Sequence, residues 1–252
     1  MFDLTGHVAV VTGGNGGLGL AYARGLVKAG ASVAVWGRNG DKNAAALAEL
    51  RDMGGDADAF ACDVVDENQV ATAFENTLSR FGRIDSCFAN AGGPGFRAPS
   101  HETDRDTWLA AIDLNLMSVV QTWKPVIGHF LKTQRRGKLV VTSSVAAIIG
   151  MGGASGYSTT KAAVTGYVRA LAVELGASGI TVNAILPGYI ETDLSRQLSD
   201  EFVAAIRRRS AIGRLGQLED VEGIAVYLAS RHSEFMTGQS LVLDGGHTIH
   251  PA

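Results

Sequence analysis

The sequence predicts an α/β fold, with a doubly wound parallel β-sheet of about seven strands and helices on both faces. Short β-rich runs alternate with longer helical patterns along the whole chain. Several of the strand-like runs are almost entirely apolar, which is typical of parallel strands covered on both faces. The chain has 252 residues and no repeat or linker interrupts the alternation, so we expect residues 1–252 to form a single domain.

The predicted strands are short and rich in valine, isoleucine and other apolar residues. In chain order they are His7–Thr12, Ser32–Trp36, Ala57–Cys62, Ile84–Ala89, Lys138–Ser143, Ile180–Leu186 and Leu241–Leu243. The segments between them have the longer apolar periodicity of amphipathic helices. They are Gly17–Ala29, Asp41–Met53, Glu67–Phe81, Asp104–Thr133, Ser155–Gly176, Asp200–Arg209 and Gln217–Ala229.

Three segments, 90–103, 144–154 and 187–210, each begin directly after a predicted strand. In open α/β sheets the ligand crevice lies beyond the carboxyl ends of the strands. We therefore expect these segments to surround the binding site and to contact the substrate.

Composition and charge exclude several classes of protein. Because 46% of the residues are apolar and 19% are charged, the chain is not expected to be disordered. Its net charge of −3 provides no positive field for nucleic acid or an anionic membrane. The first residues lack the pattern of a secretory signal, and the uncharged run 139–160 carries seven Ser or Thr hydroxyls, unlike a lipid-facing helix.

The cysteine, histidine and arginine patterns carry no function of their own. Cys62 and Cys87 fall in apolar strand-like segments, which favours buried thiols in a reducing compartment and a cytoplasmic location. The six histidines form no H-E-x-x-H pattern, and no metal is expected. Arg207–Arg209 is interpreted as a solvated helix face, with contact to an acidic carrier or partner as the alternative.

A glycine-rich segment, Thr12-Gly13-Gly14-Asn15-Gly16-Gly17-Leu18-Gly19, joins the first predicted strand to the first predicted helix. Glycines permit a sharp turn and let the backbone approach a pyrophosphate, while the helix N terminus offers unpaired N–H groups to the anion. This context predicts a dinucleotide-binding loop.

The segment resembles the T-G-x-x-x-G-x-G turn of the short-chain dehydrogenase/reductase family, classical type, with matches at Thr12, Gly13, Gly17 and Gly19. The run 187–192 is similar to the family's P-G-x-I-x-T segment. The resemblance covers nearly the whole chain and implies a Rossmann-type fold, a nicotinamide cofactor and a homotetramer. The cofactor contacts that it implies are Gly13, Asn15, Gly16, Gly17, Leu18, Gly19, Asp63, Val64, Asn90, Ala91, Gly92, Tyr157, Lys161, Pro187, Gly188, Ile190 and Thr192.

The end of the second predicted strand favours NADP(H) over NAD(H). An NAD site usually places an acid there to accept the ribose 2′-hydroxyl, whereas Gly37 occupies that place here. The guanidinium of Arg38 can hold a 2′-phosphate. NAD(H) remains possible, because Gly16 stands where many NADP-type relatives carry a base, and Arg38 can also be a solvated side chain.

Tyr157 and Lys161 form the strongest chemical pattern. Their i, i+4 spacing puts the phenol and the ammonium on one helix face. A nearby cation is expected to lower the pKa of the phenol and make Tyr157 a usable general acid or base. The alternative is an interfacial tyrosine beside a lysine that extends to solvent.

The resemblance implies two further catalytic residues. Ser144 follows the fifth predicted strand, where the family's catalytic serine donates to the substrate oxygen, and strand alternation separates it from Ser143. Asn115 matches the fourth member of the family's tetrad, with a capping or core asparagine as the alternative.

These residues predict an oxidoreductase that interconverts a ketone, or a 3-oxoacyl group, and a secondary alcohol by hydride transfer. A small-molecule carbonyl or alcohol is the expected substrate, and the mainly apolar loops carry one candidate anion contact, Arg97. The candidate substrate contacts are Gly93, Arg97, Ser144, Met151, Tyr157 and Tyr189, with Leu194 in the same wall. A 3-oxoacyl carrier-protein reductase and a non-catalytic NADP(H)-sensing protein are the alternatives.

Overall fold

The computed structural model describes residues 2–192 and 199–250, and it contains one sheet of seven parallel strands. The strands are β1 (Val8–Thr12), β2 (Ser32–Gly37), β3 (Ala57–Ala61), β4 (Ser86–Ala89), β5 (Gly137–Thr142), β6 (Ile180–Pro187) and β7 (Ser240–Leu243). Their order is β3-β2-β1-β4-β5-β6-β7. The predicted fold class and all seven predicted strands are therefore confirmed, and Leu194 lies outside the described residues.

The direction of the strand order reverses between β1 and β4. In register, Val10 of β1 lies between Ala34 of β2 and Cys87 of β4. Ligands of open α/β sheets bind in the crevice at such a reversal, beyond the carboxyl ends of the strands. The topology therefore predicts a ligand-binding site at the residues that follow Thr12 and Ala89.

Helices cover both faces of the sheet. They are α1 (Gly17–Lys28), α2 (Gly40–Asp52), α3 (Glu67–Phe81), α4 (Arg105–Ile112), α5 (Ser118–Thr133), α6 (Ser155–Leu175), α7 (Asp200–Arg209) and α8 (Glu222–Ala229). Leu26 of α1 and Leu50 of α2 belong to the apolar cluster on one face, which also includes α8. Phe74 of α3, Trp123 of α5 and Val168 of α6 belong to the cluster on the other face.

The predicted helix over 104–133 is divided by a wider π-helical turn, Asp113–Met117, between α4 and α5. The buried side chain of Asn115 donates through Nδ2 to the carbonyl of Ala111 at 3.3 Å, within this irregular turn. Pro125, inside α5, supplies no N–H to the helix. Apolar periodicity does not indicate such polar contacts, so it predicted one continuous helix here.

The start of β4 also differs from the prediction, because the strand begins at Ser86 rather than Ile84. The carboxylate of Asp85 accepts from the backbone N–H of Val8 at 2.9 Å. The backbone of Asp85 also bonds to both neighbours, since its N–H donates to the carbonyl of Val8 at 2.9 Å and its carbonyl accepts from the N–H of Lys138 at 3.0 Å.

Both cysteines are buried and free, as predicted for core thiols. Within residues 2–192 and 199–250, no helix has the length and apolar content needed to cross a membrane. The same residues contain no group of three or more His, Cys, Asp or Glu side chains placed to hold a metal ion.

Candidate active site

The glycine-rich segment turns sharply at the carboxyl end of β1 and begins α1. Gly13 and Gly17 have positive φ angles of 63° and 51°, which favour glycine. A Cβ on Gly19 would collide with the carbonyl of Gly13 and the amide of Asn90, so α1 approaches the strand closely. Because the first N–H groups of a helix have no intrahelical partner, this turn presents free donors to an anion.

A cavity of about 530 Å³ opens at this turn. It combines the turn, the ends of β4, β5 and β6, and the start of α6. The residues that line it are Asn15, Gly16, Gly17, Leu18, Lys42, Asn90, Gly92, Gly93, Pro94, Thr142, Ser143, Ser144, Tyr157, Lys161, Pro187, Gly188 and Thr192. Most of the predicted cofactor and catalytic residues therefore share one cavity.

Hydrogen bonds between three strand ends hold the floor of this cavity. The hydroxyl of Thr12 accepts from the backbone N–H groups of Asn90 and Ala91, each at 3.0 Å. The side chain of Asn90 donates to the carbonyl of Thr12 at 3.1 Å and accepts from the hydroxyl of Thr142 at 3.0 Å. This network fixes β1, β4 and β5 relative to one another.

A second cavity, of about 230 Å³, continues from the first toward the end of β2. It is lined by Gly13, Asn15, Trp36, Gly37, Arg38, Asn39, Lys42, Cys62, Asp63, Val64, Ala91, Gly92 and Leu114. Asn15, Lys42 and Gly92 line both cavities. The two cavities therefore form one extended groove with the glycine turn at its middle, a shape that fits a dinucleotide with its pyrophosphate on the turn.

The structure leaves no room for an acidic side chain at position 37. Asn15 donates through its side-chain amide to Asn43 Oδ1 at 2.7 Å, and Asn43 Nδ2 donates to the carbonyl of Gly37 at 2.9 Å. A Cβ on Gly37 would collide with both asparagine side chains. The Arg38 guanidinium lies 3.6 Å from Asp63 Oδ2 and remains largely exposed.

Lys161 is buried behind the cavity, and its Nζ donates to the carbonyl of Thr142 at 2.9 Å. Burial lowers the pKa of this amine from 10.5 to about 8. The same Nζ lies 5.7 Å from the centre of the Tyr157 ring. The spacing prediction that places these two side chains on one helix face agrees with this geometry.

The predicted lowering of the Tyr157 pKa is wrong. Burial raises the pKa of this phenol from its usual value, the neighbouring Ser144 opposes the rise, and the nearby Tyr189 adds to it. The Lys161 amine is directed to the Thr142 carbonyl, so burial outweighs its effect on the phenol. Tyr157 is therefore held in its protonated form.

Ser143 and Ser144 make different contacts, as strand alternation predicts. The buried hydroxyl of Ser143 donates to the backbone carbonyl of Lys161 at 2.7 Å and ties β5 to α6. Ser144 Oγ accepts from the N–H of Ala146 at 3.1 Å, and Ser144 lines the same cavity as Tyr157. Ser143 therefore has a structural bond to α6, whereas the Ser144 hydroxyl makes no bond to that helix backbone.

Asn115 lies behind the cavity wall and does not line it. Its Oδ1 accepts from the N–H of Gly93 at 3.1 Å, so the asparagine supports the segment that follows β4. The position of a Cβ on Gly92 would be 2.9 Å from Asn115 Oδ1 and 3.4 Å from Lys161 Nζ. Both polar side chains therefore pack against the same glycine.

The groove does not include two of the predicted cofactor residues, Ile190 and Gly19. Ile190 forms a bridge with Gly216, and its side chain occupies the space that a side chain at position 216 would take. It lines a separate cavity of about 160 Å³. Gly19 instead provides the close contact between α1 and β1.

A further cavity has a volume of about 260 Å³. It is lined by Arg97, Ile149, Gly150, Met151, Gly152, Tyr189, Phe202, Ala205, Ile206, Arg209 and His247. Of the predicted substrate contacts, Arg97, Met151 and Tyr189 lie here, while Gly93, Ser144 and Tyr157 line the main cavity.

The cavity residues that were not named as site residues from the sequence include four polar or charged side chains, Lys42, Thr142, Arg209 and His247. Thr142 lies two positions before Ser144, so strand alternation places both on one side and provides a usable signal. Arg209 lies within the predicted substrate segment 187–210, but its own basic run was interpreted as a solvated face. Lys42 and His247 carry no local signal, because tertiary contacts alone bring them to the site.

Comparisons with known proteins agree with this geometry. A family model described as Enoyl-(Acyl carrier protein) reductase matches residues 13–248. Cis-4-hydroxycyclohexanecarboxylate dehydrogenase of Sinomonas cyclohexanicum is 38% identical over 242 residues, which are 96% of this chain and 96% of that protein. The 3-oxoacyl-(acyl-carrier-protein) reductase FabG of Chlamydia pneumoniae is 35% identical over 245 residues, 97% of this chain and 98% of that protein.

A solved structure of 7α-hydroxysteroid dehydrogenase, complexed with NADH and 7-oxo glycochenodeoxycholic acid, is also similar. Its TM-score is 0.93 at 31% identity, and the match covers 97% of this chain and 95% of that one. These matches span almost the whole chain and include both the glycine turn and the Tyr157 region. The chain therefore belongs to the classical short-chain dehydrogenase/reductases, oxidoreductases that interconvert ketones and alcohols with a nicotinamide nucleotide.

Proposed function

We propose that this chain reduces a small-molecule ketone to a secondary alcohol, and catalyses the reverse oxidation, with Tyr157 as general acid or base and NADP(H) as the preferred cofactor. The observation that carries the proposal is that Ser144, Tyr157 and Lys161 line one cavity, where the Lys161 Nζ lies 5.7 Å from the centre of the Tyr157 ring. A protein that only senses a nucleotide has no need of this arrangement.

The groove residues fit a nicotinamide dinucleotide. The free N–H groups at the start of α1 would hold the pyrophosphate, and Asp63 and Val64 would border the adenine. Pro187, Gly188 and Thr192 line the other end of the groove and would orient the nicotinamide. When bound, this cofactor supplies or accepts the hydride.

In the direction of reduction, Tyr157 transfers its proton to the carbonyl oxygen of the substrate. Burial raises the pKa of the phenol, so the proton that a general acid needs is present at neutral pH. The Ser144 hydroxyl donates a hydrogen bond to the same oxygen and stabilises the charge that develops there. In the direction of oxidation, Tyr157 accepts the alcohol proton.

Lys161 acts from behind the phenol. With a pKa of about 8, the buried amine carries a proton in most molecules at neutral pH, and its bond to Thr142 fixes its position. In this place it favours the ionised phenol when Tyr157 gives up its proton. It would also bind the nicotinamide ribose.

Replacement of Tyr157 tests the reaction. We expect Tyr157→Phe to lower kcat by about 100- to 10,000-fold, because the variant lacks the transferable proton. NADPH binding, measured by nucleotide fluorescence, is expected to change by less than about threefold, since the ring is retained. Full turnover by Tyr157→Phe in a panel of ketones and alcohols would refute the assignment, and absence of turnover by the wild type would favour a sensing protein.

The preference for NADP(H) is supported by charge at the end of β2. Arg38 and Lys42 both line the cavity there, and the collision at Gly37 excludes the acid that would repel a 2′-phosphate. We expect Arg38→Gln and Lys42→Gln each to weaken NADPH binding about 10- to 100-fold and NADH binding by less than about threefold. Lys132→Gln on α5 is the matched control, and equal losses for both nucleotides would contradict the preference.

A homotetramer is part of the same proposal. Four exposed apolar side chains lie on α4, α5, α6 and the π-helical turn between α4 and α5: Leu109, Met117, Leu131 and Val173. Burial of such side chains between symmetric copies is favourable. Light scattering of the purified protein is expected to give the mass of four chains, and the mass of one chain would refute this arrangement.

A further inference from the structure

The cavity of about 260 Å³ beside the active site has an apolar wall and positively charged residues at its edge. Ile149, Met151, Phe202 and Ile206 supply the apolar surface. Arg97, from the segment after β4, and Arg209, at the end of α7, both reach the same cavity. Two distant parts of the chain therefore bring guanidinium groups to one small space.

Among residues 2–192 and 199–250, no carboxylate balances the charge of these arginines. No Asp or Glu of these residues lines the cavity, and none has a carboxylate within 4 Å of either guanidinium. Both charges act on the Tyr189 hydroxyl, where they oppose the rise in pKa that burial causes. An anion that enters this cavity would therefore meet two arginines that form no ion pair within the described part of the chain.

His247 gives a second, independent indication of a ligand. Its side chain is 5% exposed and lines the cavity, and its Nδ1 is buried with no hydrogen-bond partner among the described residues. Burial and the nearby Arg209 lower the pKa of this imidazole, so the neutral ring can donate a hydrogen bond. Buried polar atoms almost always have a partner, and a ligand oxygen in the cavity would provide one.

Tyr189 connects this cavity to the reacting groups. Its ring packs edge-on against His247 at 5.4 Å and against Phe202 at 5.7 Å. Gly188, the preceding residue, lines the main cavity, and Tyr189 is close enough to Tyr157 to influence the pKa of that phenol. A single small molecule can therefore reach from Tyr157 to the two arginines.

We propose that this cavity binds a substrate carboxylate through Arg97, Arg209 and His247, so that the chain acts on keto acids and hydroxy acids. The carboxylate is separated from the reacting carbonyl by an apolar carbon skeleton that packs on Met151 and Phe202. Guanidinium groups bind carboxylates through paired, charge-assisted hydrogen bonds, and apolar walls with a few polar groups are typical of small-molecule sites. The inference rests on the proposed ketone reduction at Tyr157.

Turnover of matched acids and esters tests the proposal. The probes are levulinate and longer straight-chain acids that, like levulinate, end in a methyl ketone. Each acid is compared with its own methyl ester, which is uncharged. At the best chain length, kcat/KM for the acid is expected to exceed that for the ester by about 10- to 100-fold, since the ester lacks the charge-assisted bonds. A carrier-bound 3-oxoacyl thioester used in preference to every acid would overturn the proposal.

Substitutions of cavity residues test whether the cavity causes the preference for acids over esters. Arg97→Gln and Arg209→Gln are each expected to remove most of the preference for acids, mainly through KM, and to leave kcat/KM for the esters within about threefold. His247→Leu, which removes the unpaired ring nitrogen, is expected to have a smaller effect in the same direction. Arg207→Gln is the matched control, because Arg207 is an exposed arginine of α7 that does not line the cavity.

A binding measurement separates this proposal from the proposed reaction. Calorimetric titration of hexanoate, which has no ketone, into the protein with NADP⁺ is expected to show binding that Arg209→Gln weakens about tenfold or more. Hexanoate binding without turnover of any ketone would refute the reaction and retain the anion site. Equal turnover of acids and esters by the wild type, with no effect of either arginine variant, would refute the anion site and retain the reaction.

Discussion

Replacement of Lys161 by methionine is expected to increase the stability of the folded chain at neutral pH. Lys161 is buried and its pKa falls from 10.5 to about 8 on folding. At about 1.4 kcal/mol for each pH unit, this fall corresponds to a cost of about 3 kcal/mol when the amine is protonated. Methionine has a similar length, carries no charge, and loses only the bond to the Thr142 carbonyl, worth about 1 kcal/mol.

The gain depends on pH in a direction that follows from the pKa. Because the folded-state pKa lies below the unfolded value, the unfolded chain binds the proton more tightly between pH 8 and 10.5. Wild-type stability therefore increases across that interval, whereas Lys161→Met lacks this contribution. We expect the variant to be more stable by about 2 kcal/mol at pH 7 and less stable by about 1 kcal/mol once pH exceeds 10.5.

Urea unfolding of both proteins, followed by circular dichroism across this pH range, measures the difference. Other buried groups, such as Tyr22, titrate equally in both proteins and cancel from it. Lys42→Met, at an exposed position, is the control and should change stability by less than about 0.5 kcal/mol at each pH. A difference between wild type and Lys161→Met that stays constant with pH would refute the assignment of a buried, weakly basic amine.

Three other substitutions test separate contacts. Ser144→Ala is expected to lower kcat about 100-fold in a ketone reduction assay because the developing oxyanion loses a donor. Ser143→Ala should instead lower the unfolding free energy by about 1 to 3 kcal/mol, since the Lys161 carbonyl loses a buried bond at 2.7 Å. A loss of kcat in Ser143→Ala together with a loss of stability in Ser144→Ala would contradict these two roles. Gly37→Asp should lower the unfolding free energy measured in urea by about 1 to 3 kcal/mol and should not improve NADH binding. Gly40→Asp is the control and should not destabilise the chain, because a Cβ at that position meets nothing within 4 Å.

Sequence patterns predicted the sheet well because its strands are buried on both faces. Every residue of Val8–Thr12 and Ile180–Pro187 is buried. A continuous apolar run in the sequence is the pattern expected of a strand that is covered on both faces. Apolar periodicity alone did not predict the helix break at Asp113–Met117, since the apolar pattern continues through it. Asn115, at the centre of the break, bonds to the carbonyl of Ala111 and to the distant N–H of Gly93, and the second contact depends on tertiary packing.

The site was predictable where a motif fixes its own geometry and less so where distant segments meet. Tyr157 and Lys161 are four residues apart on α6, so their proximity follows from the helix itself. The pKa of Tyr157 was predicted with the wrong sign because spacing reports the nearby cation and not the burial that outweighs it. Arg209 and His247 reach their cavity only after α7 and the segment beyond β7 pack together.

The position of β4 in the sheet has a consequence for synthesis of the chain. β1 to β3 and β4 are complete by residue 89, but the partner on the other side of β4 is β5, which begins at Gly137. While the ribosome adds the intervening residues, the backbone of Ser86–Ala89 is an open, apolar sheet edge. Unpaired edges of this kind promote aggregation, so we expect incomplete chains of this length to aggregate more readily than the folded protein.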